Sequence, residues 1–210
     1  MIADIEETFK KFPFLKKFNR EQKEIENNFS YFYDLYMHKE KISTASMSMF
    51  LRTAAFLYFF TKNISPEVIF DLGSGFSTVV FNVYCSNHNC RVYTTDTSEK
   101  WLHKTERFIT NYCKKNIVQY IKWEKVSDLL KTIRSDMVFY DLYGKDGTRE
   151  KMYKILVINQ PGSLFLLDDM HRPNYVKEFT RVDNQNNRTI YTLEDITKDE
   201  TGKRFMAISK

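Results

Sequence analysis

The stretch Val68-Ile69-Phe70-Asp71-Leu72-Gly73-Ser74-Gly75-Phe76-Ser77-Thr78-Val79-Val80 decides the fold. Val68–Phe70 is a short apolar run, too short for a helix and β-branched enough for a buried strand. Asp71 ends the run, Gly73 and Gly75 follow two apart, and apolar residues resume at Val79, Val80, Phe81 and Val83. This is strand, glycine turn, helix. The glycines let the backbone turn tightly and let a ligand come close to it. The helix beyond presents free N–H groups and a positive dipole end. The arrangement suits a nucleotide-type cofactor.

Two kinds of cofactor compete for such a turn. A dinucleotide site wants G-x-G-x-x-G around a pyrophosphate, and here Thr78 stands at the third glycine position. An acid two residues before the first glycine would repel a pyrophosphate and attract a cation, such as an amino group. An ordinary turn with a helix-capping acid has the same local pattern, so the rest of the chain has to decide.

The bulk numbers bound the answer. At 210 residues the chain is long enough for one domain with a real core. A hydrophobic content of 42% with 16% aromatics is that of a globular protein, not a disordered one. The net charge of +5 arises from 32 basic and 27 acidic residues that interleave without a long basic block. Nucleic-acid binding is therefore not indicated. Met1–Lys10 carries Asp4, Glu6 and Glu7 and no apolar core, unlike a signal peptide. The longest apolar run, Met47–Phe60, contains Arg52 and is too short to span a bilayer, so no membrane partner is expected. Three cysteines, an odd number, fit a reducing compartment and a cytoplasmic location. Cys85, His88 and Cys90 read as a loop with free thiols, since structural zinc wants four ligands.

Outward from the turn, strands and helices alternate. Met1–Phe60 reads as helices over Asp4–Phe18, broken at Pro13, then Arg20–Glu40, then an almost wholly apolar helix ending at Phe60. The hydroxyl-rich Lys41–Ser48 before that last helix offers several possible caps. After Val68–Phe70 come strands at Arg91–Thr95, Ile117–Trp123, Asp136–Asp141 and Ser163–Leu167. Helical stretches separate them. Thr189–Leu193 and Arg204–Ser209 read as a closing antiparallel pair. The expected architecture is α/β: a Rossmann-like, doubly wound, mostly parallel seven-stranded sheet with an antiparallel edge strand and an N-terminal helical extension. Residues 1–62 would form a helical extension that covers a substrate pocket, makes a homodimer contact or simply packs on the core, and 63–210 the cofactor-binding core.

Ligands of such sheets bind beyond the carboxyl ends of the strands. Four expected strands end in acids: Asp71, Asp96, Asp141 and the pair Asp168-Asp169. Asp96 sits at the end of the second strand, where a carboxylate accepts the ribose hydroxyls of an adenosine cofactor.

Taken together, D-L-G-S-G-F-S-T, V-Y-T-T-D, D-M-V-F-Y-D and G-S-L-F-L-L-D-D resemble the successive motifs of class I S-adenosylmethionine (SAM)-dependent methyltransferases over roughly Pro66–His171. The layout is most similar to the catechol O-methyltransferase-like enzymes of small molecules. The resemblance implies that Asp71, Gly73, Ser74 and Gly75 hold the methionine part and that Asp96, with Thr97 beside it, binds the ribose. It implies that Val126–Asp128 lines the adenine, with Ser127 or Asp128 near its amino group. Asp141 would close the site from the fourth strand end. In those relatives an Asp there and an Asp-Asn pair after the fifth strand bind Mg²⁺, which implies a metal on Asp141, Asp168 and Asp169. The last position departs from the pattern, being Asp rather than Asn. His171-Arg172-Pro173 also departs from it, and resembles instead a D-D-x-H-R branch of small-molecule and glycan methyltransferases.

Two mechanisms follow. Either Mg²⁺ acidifies an acceptor hydroxyl, or His171 or Asp169 acts as general base without metal. Arg149 would pair with an anionic substrate or with one of the acids. The expected activity is O-methylation of a small molecule or sugar. The alternatives are N-methylation of a protein, an amine or RNA, and an NAD-dependent oxidoreductase, against which Asp71 and Thr78 count.

Overall fold

The computed structural model describes residues 1–44, 47–144 and 147–210. Its centre is one sheet of eight strands: β1 (Ile2–Ala3), β2 (Val68–Leu72), β3 (Arg91–Thr95), β4 (Val118–Tyr120), β5 (Met137–Tyr140), β6 (Leu164–Leu167), β7 (Ile190–Thr192) and β8 (Ala207–Ser209). Their order across the sheet is β1-β7-β8-β6-β5-β2-β3-β4. The strand that carries the glycine turn, β2, is therefore internal, parallel to β3 on one side and β5 on the other.

All seven expected strands form. The eighth, β1, pairs in parallel with β7 through Ile2 and Ala3. Two residues carry no periodicity that could reveal it. Because β1 and β7 lie outside it, the antiparallel strand β8 is not at the edge but between β6 and β7. At that side of the sheet the buried Arg188 donates to the carbonyls of Ser163 (2.8 Å) and Ser209 (2.7 Å), tying the closing strands to β6.

Strand side chains alternate between two apolar layers, as the pleat requires. On β5, Met137 and Phe139 join one core, and Val138 and Tyr140 the other. Helices α4 (Phe76–Ser86) and α5 (Glu99–Tyr112) cover the first face. Helices α6 (Val126–Thr132), α7 (Thr148–Asn159) and α8 (Pro173–Gln185) cover the second. Such two-sided cover explains why the strands read as continuous apolar runs.

The N-terminal segment packs on the first face. It comprises α1 (Ile5–Lys11), a 3₁₀ turn at Pro13–Lys17, α2 (Phe18–Asp34), a π-helical turn at Leu35–Lys39 and α3 (Leu51–Ile64). Asp4 caps α1 by accepting from the Glu7 amide at 2.9 Å. Phe18 stands edge-on to Phe56 with ring centres 5.2 Å apart, joining α2 to α3. Helix α3 buries Ala54, Ala55, Phe56, Leu57, Phe59 and Phe60, as its nearly all-apolar surface requires. Its cap is not one of the expected hydroxyls: Phe50 occupies the N-cap and no side chain caps it. Of the hydroxyl-rich stretch, Ala45 and Ser46 lie outside the described residues. Ser43 and Ser48 instead rim a cleft. A short helix, α9 (Glu194–Thr197), completes the set between β7 and β8. No helix among the described residues is long and apolar enough to cross a membrane.

Candidate active site

The glycine turn is held from below. Gly73 adopts φ +117°, a conformation that favours glycine, and a Cβ there would lie 2.3 Å from the Asp141 carbonyl oxygen. The turn is thus pressed against the end of β5. The amides of Gly73 and Ser74 donate to the Thr95 carbonyl at 3.0 and 3.1 Å, which fixes the turn against β3 as well. Asp71 does not reach the cleft. Its carboxylate is fully buried beneath the turn and accepts from the hydroxyls of Ser77 (3.0 Å), Thr78 (2.6 Å) and Thr94 (2.9 Å). Burial pushes its pKa up to about 7 against the pull of those hydroxyls. Thr78 also accepts from the Gly75 amide at 3.1 Å. The residue that breaks the dinucleotide signature therefore links the turn to the buried acid and caps α4.

Above the turn, at the carboxyl ends of β2, β3, β5 and β6, lies a cleft of about 360 Å³, a size usual for small-ligand sites. Gly73, Ser74, Gly75, Asp96, Thr97, Asp141, Asp168 and Asp169 all line it, so most of the expected site residues converge. Asp96 is 9% exposed and accepts from the Ser98 amide at 2.8 Å. Burial raises its pKa to about 6, against backbone amides that lower it. Thr97 donates to the Tyr143 carbonyl at 3.0 Å, joining the β3 and β5 loops at the rim of the cleft.

Three buried hydroxyls of this lining, those of Tyr36, Ser43 and Ser74, make no hydrogen bond of normal geometry among the described residues, Thr105 being the polar neighbour of Tyr36. Gly75 carries no side chain where a Cβ would meet Tyr36 Oη at 3.7 Å and Trp101 Nε1 at 3.8 Å. Orphaned buried polar atoms around a glycine cradle are what a polar ligand would satisfy. Trp101 closes the wall by donating from its indole to the Ser74 carbonyl. Ser127 and Asp128, expected at the adenine, start α6 and do not line the cleft. Asp128 pairs with Lys131 at 3.3 Å in solvent.

Sequence reasoning also missed Tyr36, Ser43, Met47, Ser48, Met49, Trp101, Tyr143 and Tyr175 in the lining. Tyr36 had a detectable trace only in hindsight. It sits at helical spacing with Ile25, Phe29 and Phe32, which reads as core.

At the β5 and β6 ends the acids meet a cation. Arg149, on α7, is 2% exposed and lies 3.7 Å from Asp141 Oδ1 and 3.3 Å from Asp169 Oδ2. It donates to the Asp168 carbonyl at 2.7 Å and to the Leu142 carbonyl at 3.3 Å. Arg172 Nε stands 3.4 Å from the same Asp169 oxygen. Arg149 thus pairs with the acids, the second of its two expected roles. Burial, then the neighbouring Asp168, push the Asp141 pKa upward, and Arg149 draws it down. Asp168 is raised to about 6 by burial and by Asp169. Asp169 adopts φ +60°, unusual for a residue with a side chain. His171 does not line the cleft; its Nδ1 lies 3.7 Å from Asp169 Oδ1 without a hydrogen bond, and burial lowers its pKa.

The three acids expected to hold Mg²⁺ stand beside a cation in this structure. Among the described residues no group of three His, Cys, Asp or Glu side chains is arranged to hold a metal. Two of the three acids already face a buried guanidinium.

No family model and no curated protein sequence matches the chain. Solved structures do. An O-methyltransferase of Bacillus cereus in complex with S-adenosylhomocysteine (SAH) is similar at a TM-score of 0.64 and 12% identity, over 87% of this chain and 89% of that one. The O-methyltransferase TomG of Streptomyces achromogenes, in complex with SAM, is similar at 0.62 and 11%, over 85% and 87%. The SAH-bound methyltransferase PaMTH1 of Podospora anserina is similar at 0.57 and 14%, over 78% and 80%. The fold is that of SAM-dependent methyltransferases. It places the cleft of this chain at the strand ends where such folds bind ligands.

Proposed function

We propose that this protein is a SAM-dependent methyltransferase acting on an oxygen of a small molecule or sugar. The observation that carries the reading is the set of buried hydroxyls, Tyr36, Ser43 and Ser74, that make no hydrogen bond of normal geometry among the described residues and gather with Asp96 around the glycine cradle. They offer a polar, partly cationic ligand the hydrogen bonds it needs, and Asp96 offers ribose hydroxyls an anionic acceptor. The fold shared with SAM- and SAH-bound methyltransferases supports the same ligand. SAM supplies an already activated methyl group.

The chain's own task is alignment, which is worth roughly 7–11 kcal/mol when reacting groups are held in place. Gly73–Gly75 brings the backbone to the ligand, and Trp101 fixes the Ser74 carbonyl behind it. Residues 1–62 act as the cap of the pocket, supplying Tyr36, Ser43, Met47, Ser48 and Met49 to its wall. Asp141 takes the acceptor proton. It faces the cleft with 35% of its side chain exposed, and burial and Asp168 raise its proton affinity. A base of this kind adds roughly 10²–10⁴ in rate. Asp169, under two guanidinium groups, orients rather than accepts. The thiols of Cys85, Cys90 and Cys113 are free, which supports a cytoplasmic setting.

Calorimetry with SAM, SAH and NAD tests the reading. SAM and SAH should bind and NAD should not; tighter binding of NAD overturns it. A screen of phenols, sugars and amines with radiolabelled SAM then identifies the acceptor, and transfer only to nitrogen would overturn the O-methylation.

A further inference from the structure

Arg149 is, with Arg188, among the most heavily engaged side chains of the described residues, and its partners lie at the acceptor end of the cleft. Its guanidinium reaches the Tyr140 and Leu142 carbonyls after β5, the Asp168 carbonyl after β6, and the carboxylates of Asp141 and Asp169. Its planar face lies over the Tyr175 ring at 4.4 Å, which brings in α8. Its own carbonyl accepts from the buried Tyr140 hydroxyl, so α7 is tied back to β5. Gly144 allows this approach: a Cβ there would fall 2.8 Å from the Arg149 amide nitrogen.

One side chain therefore joins two strand ends and two helices and is surrounded by oxygens. That is the service a divalent ion gives a carboxylate cluster: it draws acids from different loops together and neutralises them. A rigid, always charged fork does it here without exchange with solvent.

We infer that Arg149 is a built-in cation standing in the place of a divalent metal, so that this chain needs none, and that Asp141, Asp168 and Asp169 form a latent metal site which Arg149 suppresses. Arg149 is on this view a positioning residue: it sets the two carboxylates and the loop ends, and touches no reacting atom. The inference rests on the reading of the cleft only in calling this its acceptor end. The cation claim stands on Arg149 and the three acids alone.

The test is Mn²⁺ titration followed by electron paramagnetic resonance and by melting temperature. Wild type should show no site tighter than about 1 mM and no Mn²⁺-dependent shift. Arg149→Met keeps an unbranched side chain and frees the acids; it should acquire a saturable Mn²⁺ site that raises its melting temperature. Adding Asp168→Asn to it should abolish that gain. Arg149→Lys keeps a cation and should gain no site. A wild-type Mn²⁺ site that Asp168→Asn removes would overturn the inference, as would a folded Arg149→Met with no Mn²⁺ response. If Arg149→Met does not fold, the wild-type titration and Arg149→Lys decide alone: a Mn²⁺ site in either overturns it, and none in both supports it. SAH titration of the same samples reports separately on the methyltransferase reading, since it does not depend on the acids or on Mn²⁺.

Discussion

Replacing Thr78 by Val keeps shape and removes one hydroxyl, and the structure assigns that hydroxyl two tasks. It accepts from the Gly75 amide at 3.1 Å in a partly buried bond and donates to Asp71 at 2.6 Å in a buried one. A neutral bond contributes about 1 kcal/mol and a bond to a charged group about 1.5–3, so Thr78→Val should cost about 2–4 kcal/mol. The cost also has a pH dependence. The Asp71 pKa rises from 3.8 to about 7 on folding, because burial outweighs the hydroxyls. A carboxyl with a raised folded pKa stabilises the fold below its unfolded value, and the contribution is lost as pH rises through the folded one. Wild type should therefore lose up to about 4 kcal/mol of this contribution between pH 4 and 7, at 1.36 kcal/mol per unit. Thr78 lowers the Asp71 pKa, so its loss extends the falling arm to higher pH, and the variant's deficit should be larger at pH 8 than at pH 5. Urea unfolding at both pH values measures this, and SAH calorimetry should show weakened binding because the Gly75 amide is no longer held. A deficit under about 0.5 kcal/mol, equal at both pH values, would refute the view that Thr78 couples the turn to the buried acid.

Three further substitutions probe the same cleft. Gly73→Ala puts a Cβ 2.3 Å from a backbone oxygen at φ +117° and should leave too little folded protein to purify, whereas Gly75→Ala should fold and bind SAH weakly; thermal melts compare them. Asp96→Asn keeps an acceptor for the Ser98 amide and removes the charge, and should weaken SAH binding about 10–100-fold by calorimetry. Wild-type affinity should itself fall below pH 6, where Asp96 takes up a proton. Tyr36→Phe removes a buried hydroxyl that makes no hydrogen bond of normal geometry among the described residues, so it should leave the melting temperature unchanged or higher while weakening SAH about 10-fold; a lower melting temperature with unchanged SAH affinity would make Tyr36 a core residue only.

The parts of this molecule that were legible in the sequence are those set by short-range chemistry. Strand β2, its glycines and the acids after β3, β5 and β6 announce themselves because a buried strand must be apolar and its end must turn. The strand β1 was invisible because two residues, Ile2 and Ala3, have no period, and their pairing with β7 joins points 188 positions apart in the chain. Asp71 shows the opposite failure. Its place before the glycines follows from the sequence, but adjacency to the glycines does not tell which side of the turn a carboxylate faces. The hydroxyls that draw it inward, on Thr78 and Thr94, look like ordinary helix and strand residues until the turn folds over them.

The acids expected to hold a metal show a related limit of the sequence, and it bears on how the acceptor end works. A motif fixes the order of acids along the chain but not the sign of what stands among them. Arg149 lies on a different element from each of them, and α7 delivers it only because α7 runs between β5 and β6. Its burial at 2% exposure means the desolvation of a full charge is offset only by the oxygens it meets, so losing any one of those contacts should be felt by all. The guanidinium also divides the labour of the carboxylates. Asp169, with Arg149 and Arg172 upon it, is held in place, while Asp141, farther from the guanidinium at 3.7 Å and open to the cleft, keeps a free edge for a proton. Asp141→Asn should therefore abolish turnover with SAH affinity intact, and Asp169→Asn should lower both stability and turnover. If the two variants behaved alike in stability as well as rate, the division between an orienting and an accepting carboxylate would have no basis.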